Sequence, residues 1–269
     1  MVCAVSGTNS AVEFAMSNGS VTLLPGLWGH PSGALWIPAM QTAVVADAHL
    51  GYSWAQRRRG ELGPLADSRT RQKLLTLCDD LAPLRIVFLG DLVHAPRPCA
   101  PEREWIEETL RLLSERAELV AVRGNHDREF AREFRSLPVR CVESWSAEGL
   151  TAAHGDRFTF AVPEDHTLLL GHLHPCLSVK DASGAGRKLP LFLATTACII
   201  LPAFSPFACG YDLVCGIPDE LQTCLGNEEV QAFAATGKRI VALGPLHCVV
   251  ERMFEANVSA PERFRKTRG

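Results

Sequence analysis

The chain has 269 residues, of which 47% are hydrophobic and 21% charged, and a net charge of -3. That balance supports a sizeable buried core and excludes wholesale disorder, while the slight negative charge excludes a global field for a polyanion; any nucleic-acid contact must come from a local patch. The length fits one catalytic domain.

Residues 1–20 read as an N-terminal extension and a candidate for disorder, 21–257 as the catalytic domain, and 258–269 as a polar, basic tail. Short strands are predicted at Val21–Leu24, Ala34–Ile37 and Thr42–Ala46, the last ending at an aspartate. Helical spacing follows over Ser68–Leu81, with Asp67 or Ser68 as N-cap, then a strand at Arg85–Leu89 that stops at Gly90-Asp91. A second helix is predicted over Glu102–Ser114, with Pro101 in its first turn, and then a strand at Leu119–Val122. This alternation predicts parallel βαβ units. Beyond Val139 the pattern predicts only strands, at Leu150–Ala153, Thr167–Leu170, Leu189–Ala194, Cys198–Leu201, Arg239–Leu243 and Cys248–Arg252, with a hairpin tip at Asp181–Lys188. The expected class is α/β, two packed mixed sheets flanked by helices.

Ten cysteines without a Cys-x-x-Cys pair argue against a zinc ribbon or redox pair and favour a reduced, cytoplasmic protein. No segment approaches the roughly 20 apolar residues of a membrane span, so no membrane partner is expected. The nearest run, Leu189 to Phe207, is broken by Pro190, Pro202 and Pro206.

Five short motifs follow apolar strands: Asp47-Ala-His49, Gly90-Asp91-Leu-Val-His94, Gly124-Asn125-His126-Asp127, His154-Gly155-Asp156 and Gly171-His172-Leu-His174. Strand ends are where open α/β sheets bind ligands. On extended chain, residues at i and i+2 point the same way, so Asp47 with His49 and His172 with His174 are expected to present paired ligands. Carboxylate, imidazole and carboxamide without thiolate select borderline or hard divalent ions: manganese first, with iron or zinc also suited. Two adjacent cations need a bridging carboxylate, for which Asp91 is the candidate. Taken singly, Asp-x-His or Gly-Asp is more often a turn or a cap; the ordered set of five is not readily explained that way.

These motifs resemble the calcineurin-like metallophosphoesterase superfamily over about Thr42 to His174. The resemblance implies one metal held by Asp47, His49, Asp91 and His174 and another by Asp91, Asn125, His154 and His172. It also implies a β-sandwich flanked by helices. Val45-Ala-Asp-Ala-His-Leu-Gly51, Leu89-Gly-Asp-Leu-Val-His94, Gly171-His-Leu-His-Pro175 and Leu201-Pro-Ala-Phe204 are similar to the ligase-associated DNA-damage-response endonuclease (PdeM) family, itself related to SbcD-type nucleases. That likeness implies DNA, single-stranded or with exposed ends, as substrate, and DNA ligase and helicase repair proteins as associates. The family's glycine pair near Phe207–Gly210 is only partly present.

In such a site a water between two metals attacks phosphorus, His126 is the candidate general acid, and Asp127 is expected to fix its tautomer and raise its pKa. His94 is a candidate phosphate contact or a structural neighbour. Arg57, Arg58 and Arg59, read as lying on a loop, and Arg123 are candidate backbone contacts, although each also fits a solvated surface or a surface ion pair. Tyr52 and Trp54 could stack on a base or simply pack. A phosphomonoesterase or small-nucleotide phosphodiesterase would share the same centre, and a non-catalytic metal-binding scaffold is the third reading.

Overall fold

The first sheet runs in chain order: β1 (Val21–Leu24), β2 (Leu27–Gly29), β3 (Leu35–Ile37), β4 (Thr42–Val45), β5 (Arg85–Leu89), β6 (Glu118–Val122) and β7 (Val139–Val142). The computed structural model describes residues 18–61, 66–157, 162–180, 186–208, 210–226 and 228–253. Strands β1 to β4 are antiparallel neighbours and β4 to β7 are parallel. Parallel pairs need long crossovers, and these carry α1 (Tyr52–Arg58), α2 (Ala66–Leu81), α3 (Ala100–Ser114) and α4 (Phe130–Glu133).

The second sheet is built from β8 (Trp145–Ala147), β9 (Leu150–Ala153), β10 (Thr167–Leu170), β11 (Pro175–Lys180), β12 (Gly186–Ala194), β13 (Cys198–Ile200) and β14 (Tyr211–Asp212), in the order β14-β11-β12-β13-β10-β9-β8. A hairpin of β15 (Gln231–Ala235) and β16 (Ile240–Pro245) adds to β12. α5 (Asp219–Leu225) precedes that hairpin, and residues 246–253 are helical.

Strand periodicity makes the layers. Ala43, Val45, Ile86, Phe88, Leu119 and Ala121 face α2 and α3, packing with Leu74, Leu77, Ile106 and Leu110. The intervening Val44, Val87, Leu89, Val120 and Val122 face the second sheet and meet Ala152, Leu169, Phe192, Ala194 and Ile199. The far face of that sheet, with Leu170, Leu191, Leu193 and Ile200, is covered by Leu225, Leu246 and Val249. Three cores therefore separate four layers, helix, sheet, sheet, helix, as a two-residue side-chain period requires of strands buried on both faces.

The expected strand at Cys248–Arg252 is instead part of a helix. Leu246, Val249, Val250 and Met253 fall at helical spacing and lie against the second sheet, so the buried face sets the period. Residues 52–58, 130–133 and 219–225 are also helical where no helix was expected, and β2, β7, β8, β11, β14 and β15 are additional strands. Asp67 and Ser68 lie inside α2 rather than capping it; Asp67 turns to α1, where its Oδ2 accepts the Ser53 N–H at 3.0 Å. In α3 Pro101 lies in the first turn as expected, and Glu102 closes the cap by accepting the Cys99 N–H at 3.1 Å. The expected basic tail at 258–269 and residues 1–17 of the expected N-terminal extension lie outside the described residues, as do residues 181–185 of the expected hairpin tip.

Candidate metal centre

Five strand ends deliver the motifs to one place. β4 leads to Asp47 and His49, β5 to Asp91, β6 to Asn125 and His126, β9 to His154, and β10 to His172 and His174. Four candidate ligands thus come from the first sheet and three from the second. The expected extended spacing does not carry them: Asp47, His49, Asp91, His172 and His174 all have left-handed backbones, with φ of 54°, 47°, 48°, 63° and 43°. Such conformations are unfavourable for side-chain-bearing residues and persist only where the surroundings fix them. Here the loops fix one another: the His49 N–H donates to the Asp91 carbonyl at 2.9 Å and the His94 N–H to the Leu50 carbonyl at 2.8 Å. Two glycines make the approach possible. A Cβ on Gly90, whose φ is 75°, would strike the His154 ring, and one on Gly124 would strike Asp91.

Asp47 is fully buried. Its Oδ1 lies 2.9 Å from His174 Nε2 and 3.8 Å from His154 Nδ1, and its Oδ2 accepts the His172 N–H at 2.9 Å. Asp91 spreads its oxygens between two groups. Oδ1 is 3.5 Å from His154 Nε2, whereas Oδ2 is 3.9 Å from both His49 Nε2 and His126 Nε2. His154 Nδ1 lies 3.1 Å from the Leu89 carbonyl, which can only accept, so Nδ1 carries the proton and Nε2 the lone pair. That lone pair faces the Asn125 Oδ1 and His172 Nδ1, each at 3.1 Å. Within this knot two sets of donor atoms, Asp47-His49-His174 and Asp47-Asp91-His154, are each close enough to hold an ion, and His49-His94-His126 forms a third.

Burial sets the protonation states. It drives His49 down to about 3 and His94 down to about 4, and it lowers His172 as well, so these rings are neutral and their lone pairs available near pH 7. For Asp47, burial would raise the carboxyl, but the His174, His154 and His49 imidazoles outweigh it and hold the group below its ordinary value. Burial raises Asp91.

The structure corrects the pairing expected for His126. Its Nδ1 lies 2.6 Å from the His94 carbonyl, which fixes the ring, while Nε2 points toward Asp91. Asp127 faces the other way: its carboxylate accepts the backbone N–H groups of Leu92, Val93 and Gly124 at 3.1–3.2 Å, tying the β5 and β6 loops together. Burial, then the Asp91 charge, pushes Asp127 up to about 6. His94 stacks on His126 with 5.2 Å between centroids and sits 3.4 Å from His49 by their Nδ1 atoms.

A cleft of about 700 Å³ opens above His49, His126 and His174 and is walled by Tyr52, Arg58, Arg59 and Phe207. The arginines expected on a loop end helix α1 instead. Arg58 is engaged, 3.2 Å from the fully buried Glu102, and Arg57 lies over the Trp54 ring. Arg59 has no ion-pair partner among the described residues. Arg123, 3.0 Å from Glu143, belongs to a second recess of about 280 Å³ that Asn125 also lines, where Arg128 and Arg157 join it. Sequence reading passed over Arg128, Arg157 and Phe207; the two arginines directly follow Asp127 and Asp156, so their place beside the motifs was the available signal.

The sequence matches the model of the calcineurin-like phosphoesterase family over residues 40–190, more than half of the chain. No curated protein matches it. Among solved structures it is similar to that of Pseudomonas putida nuclease MPE, with a TM-score of 0.59 and 24% identity, over 81% of this chain and 94% of that one. Strands β13 to β16, which complete the second sheet, lie beyond the matched family span.

Proposed function

Because the chain belongs to the calcineurin-like phosphoesterase family and is thus a metal-dependent hydrolase, we propose that it cleaves phosphodiester bonds in DNA, single-stranded or with exposed ends, in a repair setting in the cytoplasm. The observation that carries the two-metal reading is the divided carboxylate of Asp91, with one oxygen toward His154 and the other toward His49. On this reading Asp47, His49, Asp91 and His174 hold one ion and Asp91, Asn125, His154 and His172 the other. The fit is supported by the His154 lone pair facing the Asn125 Oδ1, two electron-rich atoms that a cation between them would satisfy. Manganese suits these oxygen and nitrogen donors, as iron or zinc would. When bound, two such ions neutralise phosphate charge and acidify a water for in-line attack on phosphorus.

The residues of the chain supply the rest. On this reading His126, one-third exposed and held through Nδ1 at the His94 carbonyl, acts in its imidazolium form and gives its Nε2 proton to the departing oxygen, leaving the neutral ring. Arg59 in one recess and Arg128 in the other offer charge to flanking phosphates. A polymer is favoured over a monoester because two recesses, both lined by Asn125, adjoin the centre, and the fold shared with nuclease MPE agrees with this reading. DNA ligase and helicase proteins are the proposed associates.

The test is manganese-dependent turnover of bis-p-nitrophenyl phosphate, p-nitrophenyl phosphate and single-stranded DNA side by side, with bound metal counted. Diester and DNA cleavage with two ions per chain is expected. Efficient monoester hydrolysis without cleavage of any DNA form would overturn the substrate assignment, and no more than one ion at saturation would overturn the dinuclear centre.

A further inference from the structure

We infer that Tyr52 and Phe207 form a seat for one nucleobase of the strand being cut, so that the enzyme selects linkages flanked by an intact base. The inference rests on the nuclease reading above and adds a specificity element to it. Tyr52 opens helix α1, and Phe207 comes from the loop between β13 and β14; no shared element forces them together. Yet both half-buried rings line the cleft that also contains His49, His126 and His174. Their planes lie within 20° of parallel, with centroids 6.4 Å apart. A planar ring needs about 3.5 Å to each stacking partner, so a modest parting of these side chains would admit a base between them.

The surroundings suit a nucleotide rather than a purely apolar group. The guanidinium of Arg69 lies 5.7 Å from the Phe207 centroid, and Arg58 and Arg59 stand on the same cleft wall. Stacked aromatics beside cations are the arrangement by which single strands are gripped without sequence readout, because every base has a π-face. Tyr52 also packs edge-on against His94, 4.9 Å between centroids, and His94 in turn stacks on His126. A base seated on Tyr52 would therefore lie one ring away from His94 and two from His126.

A single-stranded oligodeoxynucleotide of one repeated base, carrying one tetrahydrofuran abasic residue, tests the seat when the rate at each linkage is mapped. In the wild-type protein the linkage that would place the abasic residue between Tyr52 and Phe207 should be cut about tenfold more slowly than its neighbours, as expected for the loss of one base–aromatic stack. Tyr52→Ala and Phe207→Ala should abolish that local dip, and Tyr52→Phe should retain it. Phe207→Leu, which keeps an apolar side chain but loses the π-face, serves if the alanine variant fails to fold. Equal cutting at all linkages by the wild-type protein, or an undiminished dip in Tyr52→Ala and Phe207→Leu, would overturn the seat while leaving the nuclease reading intact. Hydrolysis of bis-p-nitrophenyl phosphate without cleavage at any DNA linkage would overturn both.

Discussion

Two adjacent residues, His126 and Asp127, share a motif and sit in different surroundings. His126 lines the cleft with its side chain one-third exposed, whereas Asp127 is buried and engaged by three backbone N–H groups. The sequence places both beside the centre, but it carries no information on which way the second side chain turns. His126→Ala is therefore expected to lose about 10²–10⁴-fold in turnover of a diester with a poor leaving group while keeping its metals and stability. Asp127→Asn should lower the unfolding free energy by about 2 kcal/mol, because a neutral amide with one oxygen replaces a carboxylate shared by three buried donors. Urea unfolding and metal content, measured on both variants beside turnover, check the division; loss of metal from His126→Ala would contradict its assignment.

At the scale of elements, the strand ends matter more than the strands. Gly90 closes β5 with φ of 75° against the His154 ring, so Gly90→Ala meets both an unfavourable backbone and a collision. A loss of about 2 kcal/mol or more is expected, together with weaker metal binding as His154 is displaced. Unfolding curves and metal titration would show this, and a variant of native stability and affinity would refute it. Strands β4, β5, β6, β9 and β10 were legible because their apolar runs stop abruptly at aspartate, glycine, arginine or histidine. α1 was not: it is one short helix whose N-terminal N–H of Ser53 is satisfied by Asp67, fourteen residues on, a contact that no local pattern announces. The helix at 246–253 was misread because Val249 and Val250 favour strands intrinsically, while the face they bury has helical spacing. Likewise the paired ligands of Asp47-x-His49 and His172-x-His174 were legible as pairs, but their left-handed backbones were not.

For the molecule as a whole, a net charge of -3 gives no global field for a polyanion, so on the proposed nuclease reading phosphate attraction falls to Arg58 and Arg59 in one recess and Arg123, Arg128 and Arg157 in the other. The four-layer fold has a second consequence. Asp47, His49, Asp91 and Asn125 ride on the first sheet and His154, His172 and His174 on the second, so ions bound among them would act as a clasp across the sandwich. Away from this point the sheets meet mainly through the non-directional apolar contacts of residues such as Val87, Val120, Leu169 and Phe192, with a few backbone bonds such as the Ile240 N–H to the Gly19 carbonyl at 2.8 Å. Stripping the ions should therefore loosen the joint before it melts either half: under chelator, calorimetry should show a broadened or split transition, and reloading should merge it into one whose midpoint climbs with free metal, by about 2.7 kcal/mol of added stability at a hundredfold excess over Kd. A single sharp transition, insensitive to chelation, would mean that the seam holds unaided. Otherwise the cations that prepare the chemistry also determine whether the two halves unfold as one body.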